Sequence, residues 1–198
     1  MVDVAHVIGN GKSAGYFDHN AKGVRITCNL PPMAVHNVFA TIMVDFKMMR
    51  AIQEGSVQVP GNWVLGQRPK MHMESNSSFY IRHSKQIREF YTTLPEYVRN
   101  YTDFNCGHMA THYTCSKFTP KECHMYGFNS IFDFDVSSST DLYMESDRSN
   151  LNNNRLVNNW RGVWPNIFKE FSDTEFKIYH KHDQIKFKLP ENVKIIVP

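Results

Sequence analysis

The first 30 residues place two glycines directly behind a short apolar run. Val4, Val7 and Ile8 lie in that run, and the sequence GNGKSAG follows at residues 9–15. An apolar run that ends at glycines is typical of a buried parallel strand leading into a tight turn. Glycine lets the backbone adopt positive φ and approach a ligand closely, and the N-terminus of a following helix binds phosphate. The opening therefore predicts a nucleotide-binding α/β domain.

Strand and helix patterns alternate along the rest of the chain. Apolar runs predict further strands at residues 24–28, 40–44, 62–65, 122–126, 176–179, 185–189 and 193–197, with an edge strand at 79–82. Helical spacing is found at residues 48–53, 84–99, 108–118 and 158–171, where Pro165 predicts a helix start or a kink. This alternation predicts an α/β fold with a doubly wound, mostly parallel, Rossmann-like sheet and helices on both faces.

Length and composition limit the class of protein. The 198 residues suit a single domain, in which the polar stretch 134–157 is predicted to be a mobile lid or loop. The net charge of +3, with scattered Lys and Arg, argues against nucleic acid as a partner. The chain lacks a secretory signal and a run of roughly 18 apolar residues, so we expect a cytoplasmic protein without an integral membrane segment. Self-association into a homo-oligomer stays open.

Two nucleotide-binding motifs compete for residues 9–15. The sequence GKS at 11–13 matches the end of a phosphate loop, GxxxxGK[ST], but His6 stands where the first glycine belongs. A dinucleotide fingerprint, GxGxxG, would place Ala14 at its third glycine. It also needs an acidic residue about twenty positions further on, where Asn29 stands. Each motif is therefore incomplete.

Several later strands end in small or amide-bearing residues, and their order resembles a known family. VIGNGKS at 7–13 and RITCN at 25–29 are similar to the first two strand ends of the small bacterial sialyltransferases that use CMP-sialic acid. NCGHMA at 105–110 and HMYGFN at 124–129 stand where that family has a Ser/Thr-Ser-Gly helix start and a strand ending in G-[IF]-D. The resemblance covers residues 4–30 and 103–133.

The resemblance implies a sialyltransferase-like glycosyltransferase. Such an enzyme transfers a sugar from a nucleotide-activated donor, a CMP-sugar above all, to a glycan or other hydroxyl acceptor. Transfer occurs by direct displacement, without a metal and with no cofactor besides the donor substrate. By this resemblance, the donor phosphate and ribose would contact Asn10, Gly11 and Ser13, and Asn29 would hold the sugar. The sugar carboxylate or glycerol would lie against Asn105, Cys106 and Gly107. The cytidine would meet Gly127, Phe128 and Asn129.

The chain departs from the family pattern at the proton acceptor. The family carries a histidine base and paired tyrosines in its lid, whereas residues 137–159 contain no histidine. An inverting transfer must remove a proton from the acceptor hydroxyl. The candidates for this base are His180, His182, Glu145 and Asp147. Without such a base the chain would be a non-catalytic nucleotide or sugar-nucleotide binding protein, or an interaction domain that has kept the fold and lost the site.

A metal site is the alternative interpretation of one histidine pair. His108 and His112 are four residues apart on a predicted helix, close in sequence to Cys106, Cys115 and Cys123. The helix lacks the glutamate of HExxH, and the cysteines lack the paired spacing of a zinc module. We therefore expect packed imidazoles and reduced, structural thiols there, and no metal.

Overall fold

The computed structural model describes residues 2–133, 150–185 and 187–198, and within them eight strands form one sheet. The strands are Val4–Ile8 (β1), Val24–Cys28 (β2), Ala40–Met43 (β3), Trp63–Leu65 (β4), Ile87–Phe90 (β5), Glu122–Tyr126 (β6), Glu175–Tyr179 (β7) and Val193–Ile196 (β8). The α-helices are Phe46–Gln53 (α1), Gln67–Ser75 (α2), Ser77–His83 (α3), Cys106–Phe118 (α4) and Asn150–Glu170 (α5). Two short 3-10 helices, Lys12–Tyr16 and Asn129–Ile131, follow β1 and β6.

The strand order is β5-β4-β3-β2-β1-β6-β7-β8, and every neighbouring pair is parallel. The chain builds outward from β1 to one edge of the sheet, returns to β6, and then builds toward the other edge. In β1, Ile8 pairs with Thr27 of β2 on one side and with Tyr126 of β6 on the other. The predicted doubly wound α/β fold is confirmed, and its topological switch point lies between β1 and β6.

Both faces of the sheet are covered, because consecutive strand residues point to opposite sides. Ile42 of β3 packs in a core with Met109 of α4 and Trp164 of α5. Its neighbour Met43 packs in a separate core with Met48 of α1 and residues of α2 and α3. Helices on both faces are therefore confirmed as well. Among the described residues, we find no helix with the length and apolar character needed to cross a membrane.

The region between β4 and α4 differs from the sequence prediction. The strand predicted at 79–82 is wrong, since these residues lie in α3, where Phe79 is 2% exposed and Ile81 is 74% exposed. This one-sided burial fits a surface helix. The helix predicted at 84–99 is also wrong, because this segment contains the strand β5. An edge strand pairs on one side only, so its half-buried residues show little of the alternation that marks a strand.

Two further differences lie near the C-terminus. The helix predicted at 158–171 begins earlier, at Asn150, and runs through Pro165. Residues 150–157, which were expected to belong to the lid, are therefore helical, while 134–149 lie outside the described residues. The strand predicted at 185–189 is absent from its described part, and β8 pairs directly with β7 instead. The last sheet position is therefore filled by residues further along the chain.

Candidate functional site

Hydrogen bonds join the loops behind β1 and β6 across the switch point. The Gly9 N–H donates to the Tyr126 carbonyl oxygen (2.7 Å), and the Gly11 N–H donates to that of Gly127 (3.1 Å). A Cβ on Gly9 would lie 2.8 Å from the Gly127 oxygen, and a Cβ on Gly11 would overlap Oδ1 of Asn129. The glycines predicted to admit a ligand thus also let these two loops approach each other.

Ser13 connects the same two loops through its side chain. Its Oγ donates to Oδ1 of Asn129 (2.9 Å), and its backbone N–H reaches the same oxygen (3.2 Å). The Oγ also accepts a hydrogen bond from the Gly127 N–H (3.1 Å). Ser13 is 5% exposed, so these bonds are shielded from water. Ser13 is thereby brought into direct contact with two residues that lie more than 100 positions further along the chain.

The end of β2 closes a second side of the site. With its amide nitrogen turned inward, Asn10 donates to the carbonyl oxygens of Cys28 and Leu30, the latter at 3.1 Å. Asn29 lies between those two residues with φ of 44°, a left-handed conformation that asparagine tolerates well. Its backbone N–H donates to the Ile42 carbonyl oxygen at the end of β3 (2.9 Å).

The N-terminus of α4 forms the third side. Asn105 caps the helix by accepting from the His108 N–H (3.0 Å), and His108 Nδ1 accepts from the Asn105 N–H (3.1 Å). This reciprocal capping box fixes the first turn of the helix. Gly107 lies directly against Phe128, since a Cβ there would be 2.8 Å from the phenyl ring. The helix start therefore touches the loop behind β6.

Cys106 ties α4 to the ends of β2 and β3. Its Sγ donates to the Ile42 carbonyl oxygen (3.0 Å) and lies 3.7 Å from Oδ1 of Asn29. Cys28 Sγ in turn lies 3.7 Å from the Cys106 carbonyl oxygen. Complete burial raises the pKa of the Cys106 thiol well above its ordinary value. Cys106 is thus a buried packing thiol and is not set up as an activated nucleophile.

These contacts link the predicted substrate-binding residues into one continuous set, which we call the strand-end ring: residues 9–13, 28–30, 105–107 and 127–129. The buried residues that build the ring are Gly9, Gly11, Ser13, Cys28, Asn29, Cys106 and Phe128. The half-buried residues, which leave surface for a ligand, are Asn10, Asn105, Gly107, Gly127 and Asn129.

The helix start beside the ring is electrically favourable for an anion. The first turn of α4 contains no acidic residue. Burial lowers the pKa of His108 to about 3, so its imidazole is neutral, and Nε2 donates to the Trp160 carbonyl oxygen (3.0 Å). The first turn itself therefore does not offset the partial positive charge of the helix N-terminus, although the Asp45 carboxylate acts on Cys106 from outside the helix.

The two C-terminal histidines predicted as base candidates lie together near the ring. His180 and His182 follow β7 and meet Asp133, whose backbone N–H donates to the Asn129 carbonyl oxygen (2.9 Å). His180 is completely buried, which lowers its pKa, and its ring stacks on Phe132 at 3.9 Å. Asp133 was not among the predicted site residues, although it stands only four residues beyond Asn129. The other two candidates, Glu145 and Asp147, lie outside the described residues.

The alternative pair, His108 and His112, has partners of its own. His108 belongs to the capping box, as described above. His112 contacts the Tyr91 hydroxyl through Nδ1 (2.8 Å) and a Glu170 carboxylate oxygen through Nε2 (3.2 Å). Burial lowers the pKa of His112, although Glu170 opposes that shift. These imidazoles are thus used in helix capping and in helix–loop packing.

A cleft that the sequence did not indicate lies beside the ring, at the ends of β3, β4 and β5. Its volume is about 310 Å³, including space open to solvent, and residues from four segments line it: Val44, Gly66, Arg68, Tyr91, Tyr101 and Phe104. Arg68 Nη1 pairs with Oδ1 of Asp45 (3.2 Å) at its edge. Tyr91 and Tyr101 lie in a segment predicted as helix or left unassigned, so no strand-end motif pointed to them.

Comparisons with known proteins gave no match to a family model, to a curated protein or to a solved structure.

Proposed function

We propose that this protein is a sialyltransferase-like glycosyltransferase that binds a nucleotide-activated sugar, with a CMP-sugar as the favoured donor, at the strand-end ring. The observation that carries this proposal is the convergence of the loops behind β1, β2 and β6 with the start of α4 at the switch point of the sheet. Open parallel sheets bind ligands at this edge, outside the carboxyl ends of their strands.

The exposed part of the ring suits a phosphate-linked sugar. Asn10 would offer the donor its amide oxygen, and Asn105 and Asn129 would offer their amide nitrogens, since the other atom of each amide bonds within the protein. Gly107 and Gly127 are half-buried and keep the loops close together, and the α4 N-terminus favours negative charge. These groups together can hold the donor without a metal ion on its phosphate.

The proposed reaction is a direct displacement. The acceptor hydroxyl oxygen forms a bond to the anomeric carbon of the donor sugar, while the bond from that carbon to the phosphate oxygen breaks. The nucleoside monophosphate leaves with the electron pair, and the acceptor proton passes to a base. Hydrogen-bond donors aimed at the departing phosphate would stabilise its developing charge.

His180 and His182 are poorly placed to take the acceptor proton. Nδ1 of His180 faces the His182 backbone, and its Nε2 is buried. Nε2 of His182 faces Asp133 (3.4 Å), and its Nδ1 is buried with no hydrogen-bond partner among the described residues. Glu145 and Asp147 are the remaining candidates for the base. Glu145→Gln and Asp147→Asn should identify the base by abolishing transfer while leaving donor binding intact.

Donor hydrolysis tests the proposal. CMP-sialic acid is incubated with the purified protein, and released CMP is measured by chromatography. Asn10→Ala and Ser13→Ala should lower the initial rate by about tenfold or more, equivalent to about 1.4 kcal/mol. Asn20→Ala, at an exposed position away from the ring, is the matched control and should keep the wild-type rate. Equal rates in all four proteins would refute the site assignment.

A second candidate function is binding of the nucleotide or sugar nucleotide without transfer. The observation that favours it is that, within the described part of the chain, the nitrogens of His180 and His182 are buried or face Asp133 and the His182 backbone. This alternative predicts CMP binding that depends on Asn10, with no release of CMP from the donor above the rate in buffer.

A further inference from the structure

A cluster of two histidines and one aspartate lies where β7 meets the turn behind β6. Asp133 follows the 3-10 helix Asn129–Ile131, and His180 and His182 follow β7 directly. One ligand atom from each of the three residues lies within 4.8 Å of the others. The proposed transfer chemistry does not use this cluster, so its arrangement needs a separate explanation.

Within the part of the chain that the structure describes, two imidazole nitrogens in the cluster are buried without a hydrogen-bond partner. The His180 side chain is completely buried, and its Nε2 lies 3.7 Å from Oδ2 of Asp133, too far for a hydrogen bond. Nδ1 of His182 is also buried without a partner among the described residues, but it is the nitrogen on the far side of the ring from the Nε2 that faces Asp133. Buried polar atoms are almost always satisfied, so the unpartnered Nε2 of His180 beside a carboxylate indicates a ligand that completes it.

The hydrogen-bond partner of His180 Nδ1 favours the tautomer in which Nε2 carries the lone pair. The shorter contact of its Nδ1 is with the His182 carbonyl oxygen (3.2 Å), and the His182 N–H lies farther away (3.4 Å). A proton on Nδ1 donated to that carbonyl leaves a lone pair on Nε2, directed toward Asp133. Metal-binding histidines commonly donate their second ring N–H in this way. Phe132 stacks on the ring within 2° of parallel and fixes its orientation.

We propose that Asp133, His180 and His182 bind one divalent transition-metal ion of the zinc class. Zinc–ligand bonds of about 2.0–2.2 Å place neighbouring donor atoms of a tetrahedral site about 3.3 Å apart. Nε2 of His182 already lies 3.4 Å from one Asp133 oxygen, and Nε2 of His180 lies 3.7 Å from the other. Small side-chain movements therefore complete three ligands, with a fourth position open to water.

The ion would fasten the end of β7 to the turn behind β6. That turn also carries Asn129, whose carbonyl oxygen accepts from the Asp133 N–H (2.9 Å). Lys181 is the competing cation, because its Nζ lies 3.7 Å from Asp133 while its side chain is 64% exposed. None of the three ligands belongs to the strand-end ring, so the metal site and the donor site can be tested separately.

Metal content and thermal stability test this site. The full chain is stripped with a chelator, incubated with Zn²⁺ alone, desalted, and analysed by elemental mass spectrometry. We expect one retained Zn²⁺ per chain and a higher Tm with Zn²⁺ but not with Mg²⁺, which prefers oxygen ligands. Co²⁺ in the same site should give visible absorption bands that report coordination by the protein.

Variants at the two partly exposed ligands make the test specific. Asp133→Asn and His182→Gln should lose the retained Zn²⁺ and the Tm increase, with their folds checked by circular dichroism. His36→Gln, at an exposed histidine elsewhere, should keep both, and Lys181→Ala should bind Zn²⁺ at least as tightly as wild type. A wild-type chain that retains no Zn²⁺, or Zn²⁺ retention that is unchanged in Asp133→Asn and His182→Gln, would overturn the proposal.

Discussion

Oδ1 of Asn129 accepts two hydrogen bonds from Ser13, one from Oγ at 2.9 Å and one from the backbone N–H at 3.2 Å. This contact joins two loops that are 116 residues apart in sequence and closes the switch point of the sheet. The strand-end ring thus depends on an acceptor oxygen at position 129, and the stability of the fold should respond to its removal.

Asn129→Ala should lower the free energy of unfolding by about 1–3 kcal/mol, because it leaves the buried Ser13 donors without their acceptor. Asn129→Asp is the matched variant, since a carboxylate oxygen can accept the same two bonds. It should retain most of the wild-type stability. Urea unfolding followed by circular dichroism measures both, and equal losses in the two variants would contradict the role assigned to this oxygen.

Gly11→Ala and Gly15→Ala form a second matched pair. A Cβ at Gly11 would overlap the Asn129 side chain and lie 2.8 Å from the Gly127 oxygen, whereas a Cβ at Gly15 meets nothing within 4 Å. We expect Gly11→Ala to cost about 1–3 kcal/mol of stability. Gly15→Ala should change it by less than about 0.5 kcal/mol. Thermal unfolding of the two proteins side by side measures this difference in stability. A Gly11→Ala protein as stable as Gly15→Ala would disprove the close loop contact.

The sequence predicted the central sheet well because its strands are buried on both faces. β1, β2 and β6 are short runs followed directly by glycine or asparagine, and β3 is followed by Val44 and Asp45. A buried parallel strand that leads into a turn produces this signal directly. From those endings the ring could be anticipated, since parallel strands end at one edge. The contacts within the ring could not be anticipated from the sequence. GNGKS resembles a loop that contacts a ligand, yet Gly11 is covered by Asn129, a contact that depends on tertiary structure.

The cluster around His180 was harder to anticipate for a different reason. Its two histidines and Asp133 stand in separate segments, and the pairing of β6 with β7 brings them together. β5 was missed because it lies at the edge of the sheet. α3 was predicted as a strand because it contains a short β-branched and aromatic sequence. Local patterns at the periphery carry less information about which side chains are buried.

The buried imidazole of His108 predicts a pH dependence of stability. Its pKa is about 3 in the folded protein and about 6.5 in an unfolded chain, so between these values the unfolded state binds more protons. The stabilisation from the neutral ring is complete above pH 6.5 and is lost as the pH falls toward 3. This one group contributes a slope of about 1.4 kcal/mol per pH unit in that range.

His108→Gln should reduce this slope, because glutamine does not titrate and can still reach the Asn105 N–H in the capping box. Urea unfolding at several pH values between 6.5 and 4.5 measures the slope for wild type and variant. His36→Gln, at an exposed site, is the control and should keep the wild-type slope. If His108→Gln and wild type lose stability in parallel as the pH falls, the neutral buried state of His108 is incorrect.

The most direct test of the central claim is a calorimetric titration of the protein with CMP, alongside UMP, AMP and NAD. The account predicts saturable binding of CMP to one site per chain. Asn10→Ala should weaken that binding by about tenfold, or about 1.4 kcal/mol, and Asn20→Ala should leave it unchanged. No binding of any of the four nucleotides at millimolar concentration, or CMP binding that is the same in Asn10→Ala as in wild type, would contradict a nucleotide-sugar site at the strand-end ring.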